Sequence, residues 1–76
     1  MTKEQIVGYV QSEGGATFRS AVTKHFKNVA KSEEIGNALN DAVEAGRVYT
    51  FTVATAGPPA QVIVTPEFIR ANLPTR

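Results

Sequence analysis

The chain has no cysteine, which excludes disulfide staples and thiolate metal sites. It has a single histidine, His25, too few for a multi-histidine metal centre. No stretch approaches the roughly 18–20 apolar residues of a membrane span, and the first residues lack the apolar run of a secretory signal. The expectation is a cytoplasmic protein with no membrane partner. Net charge is scarce as well: eight basic and seven acidic side chains leave +1 at neutral pH. Polyanion-binding domains usually carry a larger basic excess, so the placement of charge has to decide, not its sum.

Reactive constellations are equally thin. Ser12, Ser20 and Ser32 lack the glycine-flanked setting of a nucleophile elbow. The stretches "EGG" and "AGPP" lack the spacing and the lysine of a phosphate-binding loop. His25 has no carboxylate partner implied by spacing. The expectation is a protein that is not an enzyme and needs no cofactor.

What is present suffices for one small domain over residues 1–76. Seventy-six residues lie near the lower limit for a self-sufficient core. With 42% hydrophobic residues, nearly every large apolar side chain must serve that core. Thr2-Lys3-Glu4-Gln5 fits a capping box, and Ile6, Tyr9 and Val10 share a helical face, so a first helix is expected over about Lys3–Ser12. "SEGGAT" stops it, since Gly14 and Gly15 free the chain to turn. Ala16 and Thr17 suit a very short extended piece, with Thr17 able to cap the next helix. In "FRSAVTKHFK", Phe18, Ala21, Val22 and Phe26 form a candidate buried stripe. Asn28 suits a left-handed turn and Val29 an apolar anchor for it.

Ser32 reads as the N-cap of a third helix over about Glu33–Ala45, with Glu33 and Glu34 favouring its positive end. Ile35, Leu39, Ala42 and Val43 mark its inward side, and Gly46 its stop. The period then changes to two. "RVYTFTVAT" and "AQVIVT", parted by "AGPP", predict a hairpin over about Arg47–Thr65. Thr65-Pro66-Glu67 is a helix start, and Phe68, Ile69 and Leu73 give that short helix an apolar side.

This order resembles the winged-helix group of helix-turn-helix domains. The resemblance rests on "AVTKHFKNVAKSEEIGNAL" for the two-helix unit and on "EAGRVYTFTV…QVIV" for the last helix entering its wing, and spans Thr2 to about Thr65. It implies an α+β fold: a three-helix core, a two-stranded wing and a short closing helix. The paired Pro58-Pro59 is similar to the wing of the Z-form nucleic-acid-binding members. Gly36 and Asn40, however, stand where that subgroup needs asparagine and tyrosine, so the subgroup is set aside.

The resemblance further implies binding of double-stranded DNA, as a transcription regulator or accessory factor. The second helix of the unit would lie at base edges, with the first helix and the turn near phosphates. Arg19, Lys24, Lys27 and Lys31 are the expected phosphate anchors, with Thr23 beside them and Arg47 giving lateral support. Ser32, Asn37 and Asn40 are the expected base contacts, since an asparagine amide matches the donor–acceptor pair of adenine. Any one lysine alone would be an ordinary solvated residue; the case rests on the group. Against it stand Glu33, Glu34, Asp41 and Glu44 on the same reading helix. Four acids against four cations suit a protein partner or self-association too, so a protein-docking module without nucleic acid is the alternative expectation.

Overall fold

Capping chemistry marks both ends of the first helix, the end of the third and the start of the fourth. The structure, a computed structural model, describes residues 1–72. Its elements are α1 (Lys3–Ser12), β1 (Ala16–Phe18), α2 (Arg19–Phe26), α3 (Ser32–Glu44), β2 (Tyr49–Val53), β3 (Ala60–Val64) and α4 (Pro66–Asn72). At the start of α1 the Thr2 N–H donates to Gln5 Oε1 at 2.9 Å, the reciprocal half of a capping box. Its end is a Schellman turn: the Gly14 N–H donates to Gln11 O and the Gly15 N–H to Val10 O. The end of α3 repeats the motif, with Gly46 bonded to Val43 O and Arg47 to Ala42 O. Thr65 Oγ1 accepts from the Phe68 N–H at 3.1 Å and caps α4.

The sheet is antiparallel with strand order β1-β3-β2. This corrects the expectation of a two-stranded hairpin alone, because the extended piece at Ala16 recruits β3 as a shared partner. Helix, strand, two helices and hairpin, with β1 paired to the second hairpin strand, make an α+β arrangement compatible with a winged-helix-like layout.

Paired residues share a sheet face and neighbours along a strand alternate. Thr17, Ile63 and Thr50 therefore point one way, toward the helices, where Ile63 and the parity-matched Val48 are fully buried. Ala16–Val64–Tyr49, Phe18–Val62–Phe51 and the pair Ala60–Val53 form rows on the opposite, outer face. The core on the inner side joins Ile6, Val7 and Val10 of α1 and Val22 and Phe26 of α2. Ile35, Ala38, Leu39 and Ala42 of α3 complete it around Val48 and Ile63.

Several local expectations are corrected. Phe18 belongs to β1 and is 50% exposed on the outer face, not part of a buried stripe. Thr17 is a strand residue and caps nothing; Phe18 precedes α2 without a side-chain cap bond. Lys31, not Ser32, holds the N-cap position of α3, and Ser32 is its first helical residue. Val43 is exposed, and Ala38 takes its place in the core. Val29 is exposed too, while Ala30 packs against the core. Asn28 does not adopt a left-handed conformation, since no non-glycine among the described residues has positive φ. Leu73 lies outside the described residues.

Gly15 is the tightest joint in the frame. Its φ is +97°, its carbonyl accepts from the Thr65 N–H at 2.8 Å, and an added Cβ would stand 2.8 Å from Phe68 Cβ. Gly15→Ala is expected to destabilise the fold by about 2 kcal/mol or more, from the left-handed backbone and the clash together. Gly8, by contrast, sits in α1 with nothing near its missing side chain, so Gly8→Ala should stabilise by about 0.5–1 kcal/mol. Urea unfolding of the two variants checks both signs.

Candidate nucleic-acid interface

The basic residues of α2 occupy the side away from α1. Arg19, Thr23 and Lys27 stand at i, i+4 and i+8, one line along the helix, with Ser20 and Lys24 on the adjacent line. Arg19, Lys24 and Lys27 are exposed, as are Lys31 and Ser32 at the entry to α3. Among the described residues, the ion pairs are Met1 with Glu34 and Arg47 with Glu4. None of Arg19, Lys24, Lys27 and Lys31 is in either.

Arg19 is more than a surface cation. Its Nη1 donates to Gln61 Oε1 of β3 at 3.3 Å, and its Nη2 lies 3.4 Å from where a Cβ on Gly36 of α3 would stand. The guanidinium thus spans the hairpin and the third helix, in contact range of Gly36. Thr23 Oγ1 donates back to Arg19 O at 3.2 Å. Arg19, Ser20 and Thr23 form one wall of an open cleft, and Pro59, Ala60 and Gln61 of the β2–β3 hairpin form the other. The hairpin tip is held by Thr55, whose Oγ1 donates to Pro58 O at 2.7 Å and accepts from the Gly57 N–H at 3.3 Å.

The acids of α3 divide around the helix. Glu34 Oε2 lies 3.9 Å from the Met1 ammonium, which assigns that side to α1. Asp41, seven residues on, shares it. Gly36 faces Arg19, and Asn40, four residues on, shares that side. Asn37 lies between, flanked at helical spacing by Glu33 and Glu44; all three are exposed. The edge of α3 beside the cleft carries Gly36 and Asn40, and it is bordered by Glu33, three residues before Gly36, and Glu44, four after Asn40.

The structure thus brings together Arg19, Thr23, Lys24 and Lys27, with Lys31 and Ser32 continuing past the turn and Asn40 on the near edge of α3. Arg47 stands apart. It pairs with Glu4 at 2.6 Å on the α1 side, an exposed contact of roughly 0–1 kcal/mol. Gln61, Pro59, Gly36 and Ser20 are site residues that the sequence did not single out. Their membership depends on pairings between segments far apart in the chain, and no local pattern signals those.

On the far side of α2, His25 stacks on Tyr9 of α1 with ring centroids 4.1 Å apart, and Phe26 meets both rings edge-on. His25 is a packing residue. The Tyr9 hydroxyl donates to Glu13 Oε1 at 3.2 Å. Desolvation, then this bond, then the Glu13 charge hold its pKa above the ordinary 10.0. A folded pKa above the unfolded one gives stability that is complete below pH 10.0 and lost as pH rises through the folded value. The expected outcome is a steeper loss of melting temperature above that pH for the wild type than for Tyr9→Phe. Ultraviolet titration of phenolate should also show Glu13→Gln lowering the Tyr9 midpoint.

No protein-family model matches this chain, and neither does any curated protein or solved structure.

Proposed function

We propose that this protein binds double-stranded DNA as a winged-helix-like domain, in the role of a transcription regulator or accessory factor. One observation carries the reading. Arg19, Lys24, Lys27 and Lys31 are exposed, free of acidic partners among the described residues, and grouped along α2 and the turn. Lys24, Lys27 and Lys31 anchor the sugar-phosphate backbone. Arg19 and Thr23 line the cleft that meets the wing, where Arg19 holds hairpin and helix at a set separation. Ser32 and Asn40 reach toward base edges as the leading end of α3 enters the groove. Asn37 reaches the same groove from the adjacent line of α3, and both asparagines share that outward arc with Glu33 and Glu44, which weaken the contact. Arg47 gives lateral support only when its bond to Glu4 opens.

Two of the four acids are neutral to this arrangement by position, since Glu34 and Asp41 lie on the α1 side. Glu33 and Glu44 oppose it, and they favour a second reading. The outward face of α3, with Asn37 between two carboxylates, suits a cationic protein surface better than a duplex.

Anisotropy titration of a labelled random duplex between 50 and 200 mM salt separates the two. A DNA binder should lose affinity steeply with salt, with Lys24→Ala and Lys27→Ala each lowering the slope of log K against log salt by about 0.9. Asn40→Ala should cost about 1–3 kcal/mol on a preferred site and almost nothing on random sequence. Absence of binding at the lowest salt would transfer the role to the protein partner.

A further inference from the structure

Among the described residues β2 is an edge strand, bonded to β3 on one side and to nothing on the other. All five of its residues are exposed, and among the described residues no element except β3 packs substantially against it. Such edges are ordinarily blunted by a lysine, a proline, a bulge or extreme shortness. The opposite edge, β1, has the last of these, with three residues. β2 has none: Tyr49-Thr50-Phe51-Thr52-Val53 contains no charge and no proline, and its register with β3 runs without a bulge.

We infer that two copies of this chain pair edge to edge through β2, antiparallel about a dyad at Phe51, into one six-stranded sheet. The sequence decides the occupant, because this strand is complementary to itself. In the register that pairs all five residues, Phe51 meets Phe51 of the second copy, Thr50 meets Thr52, and Tyr49 meets Val53. Aromatic and β-branched partners sit on one face and threonines on the other, the cross-strand pairings that stabilise sheets. The nearest charge, Arg47, falls opposite Thr55, so no like charges meet. An unrelated strand could also add to an open edge, but nothing on β2 selects one, whereas a second copy satisfies every position.

The outer face supports the same assignment. Phe18 is 50% and Phe51 52% exposed, and their row ends at the β2 edge. Pairing continues that row into the second copy and covers the flank of Phe51 with an identical ring. The dyad is normal to the sheet, so both helical layers lie on one side of it. Half-exposed rings on a sheet could also stack bases of single-stranded nucleic acid, but that mode needs cations among the rings, and the outer rows contain none.

Sedimentation equilibrium from about 10 μM to 1 mM should give a reversible passage from monomer to dimer, the range expected of a weak contact. Thr50→Lys combined with Thr52→Lys places like charges opposite one another on both sides of the dyad and should weaken association at least about 10-fold. Thr50→Lys combined with Thr52→Glu places opposite charges there and should keep association within about threefold of wild type. Both positions are exposed, and far-UV circular dichroism checks that the variants fold. Wild-type amide exchange needs no variant: protection within residues 49–53 should rise with concentration. A wild type that stays monomeric, with no such protection, overturns the inference. So does a dimer that survives the double lysine variant but is lost in Phe51→Lys, since that marks face-to-face stacking. Perturbation of Phe18 and Phe51 by a single-stranded oligonucleotide in a wild type that does not dimerise also overturns it.

Discussion

The pairing of β3 on both its edges is the constraint from which the rest of the geometry follows. Among the described residues it is the only strand bonded to two others, and its Ile63 is fully buried against the helices. Through β1 it is tied to the end of α1, where the Thr65 N–H bonds Gly15 O. Through β2 it is tied to the end of α3. Gln61 stands beside Arg19 only because β3 crosses the start of α2. A core this small has no second layer to hold these parts if the ladder shifts. A slip of one residue would turn Ile63 outward and Val62 inward, dispersing core and cleft together.

Charge on this molecule is scarce in sum and structured in place. The cations of α2 stand away from α1, while Glu34 and Glu4 engage cationic groups at the α1 side. Exposed pairs of this kind add little stability. Their effect is on the field: they neutralise acids that would otherwise reduce the attraction of a polyanion. A net charge near zero can therefore coexist with a positive strip. The residual difficulty is local, at Glu33 and Glu44, which share the outward face of α3 with Asn37.

The sheet presents two unlike faces because one strand parity is apolar throughout. Thr50, Thr52 and Gln61 extend the inner face beyond the core as a polar surface beside the cleft. The outer face, with Phe18, Tyr49, Phe51 and Val53 exposed, is hydrophobic in a protein with little apolar area to spare. Contiguous patches of this sort mark interaction sites more often than chance. This one adjoins an open strand edge, and the pairing inferred above uses both features.

Local chemistry in the sequence was enough to define both ends of α1, the end of α3 and the start of α4, but not the start of α2 or the turn at Asn28. The box at Thr2 and Gln5, the glycines after α1 and α3, and the Thr65-Pro66 start act within a few residues, and each appears at the expected position. The alternation in "YTFTV" and "QVIV" likewise fixed two strands, since side-chain period is a local property. What tertiary structure alone decided was partnership. Ala16–Phe18 became a strand because β3 was there to pair with it, which moved Phe18 from an expected helical stripe to an exposed sheet face. Val43 gave way to Ala38 because only the packed helices determine which side of the apolar arc meets the core. Arg19, Gln61 and Gly36 met because loop closure brought three distant segments together, and no periodicity records an encounter across 42 residues. Sequence spacing carries short-range geometry; which face meets which is settled only when the core closes and the strands choose their neighbours.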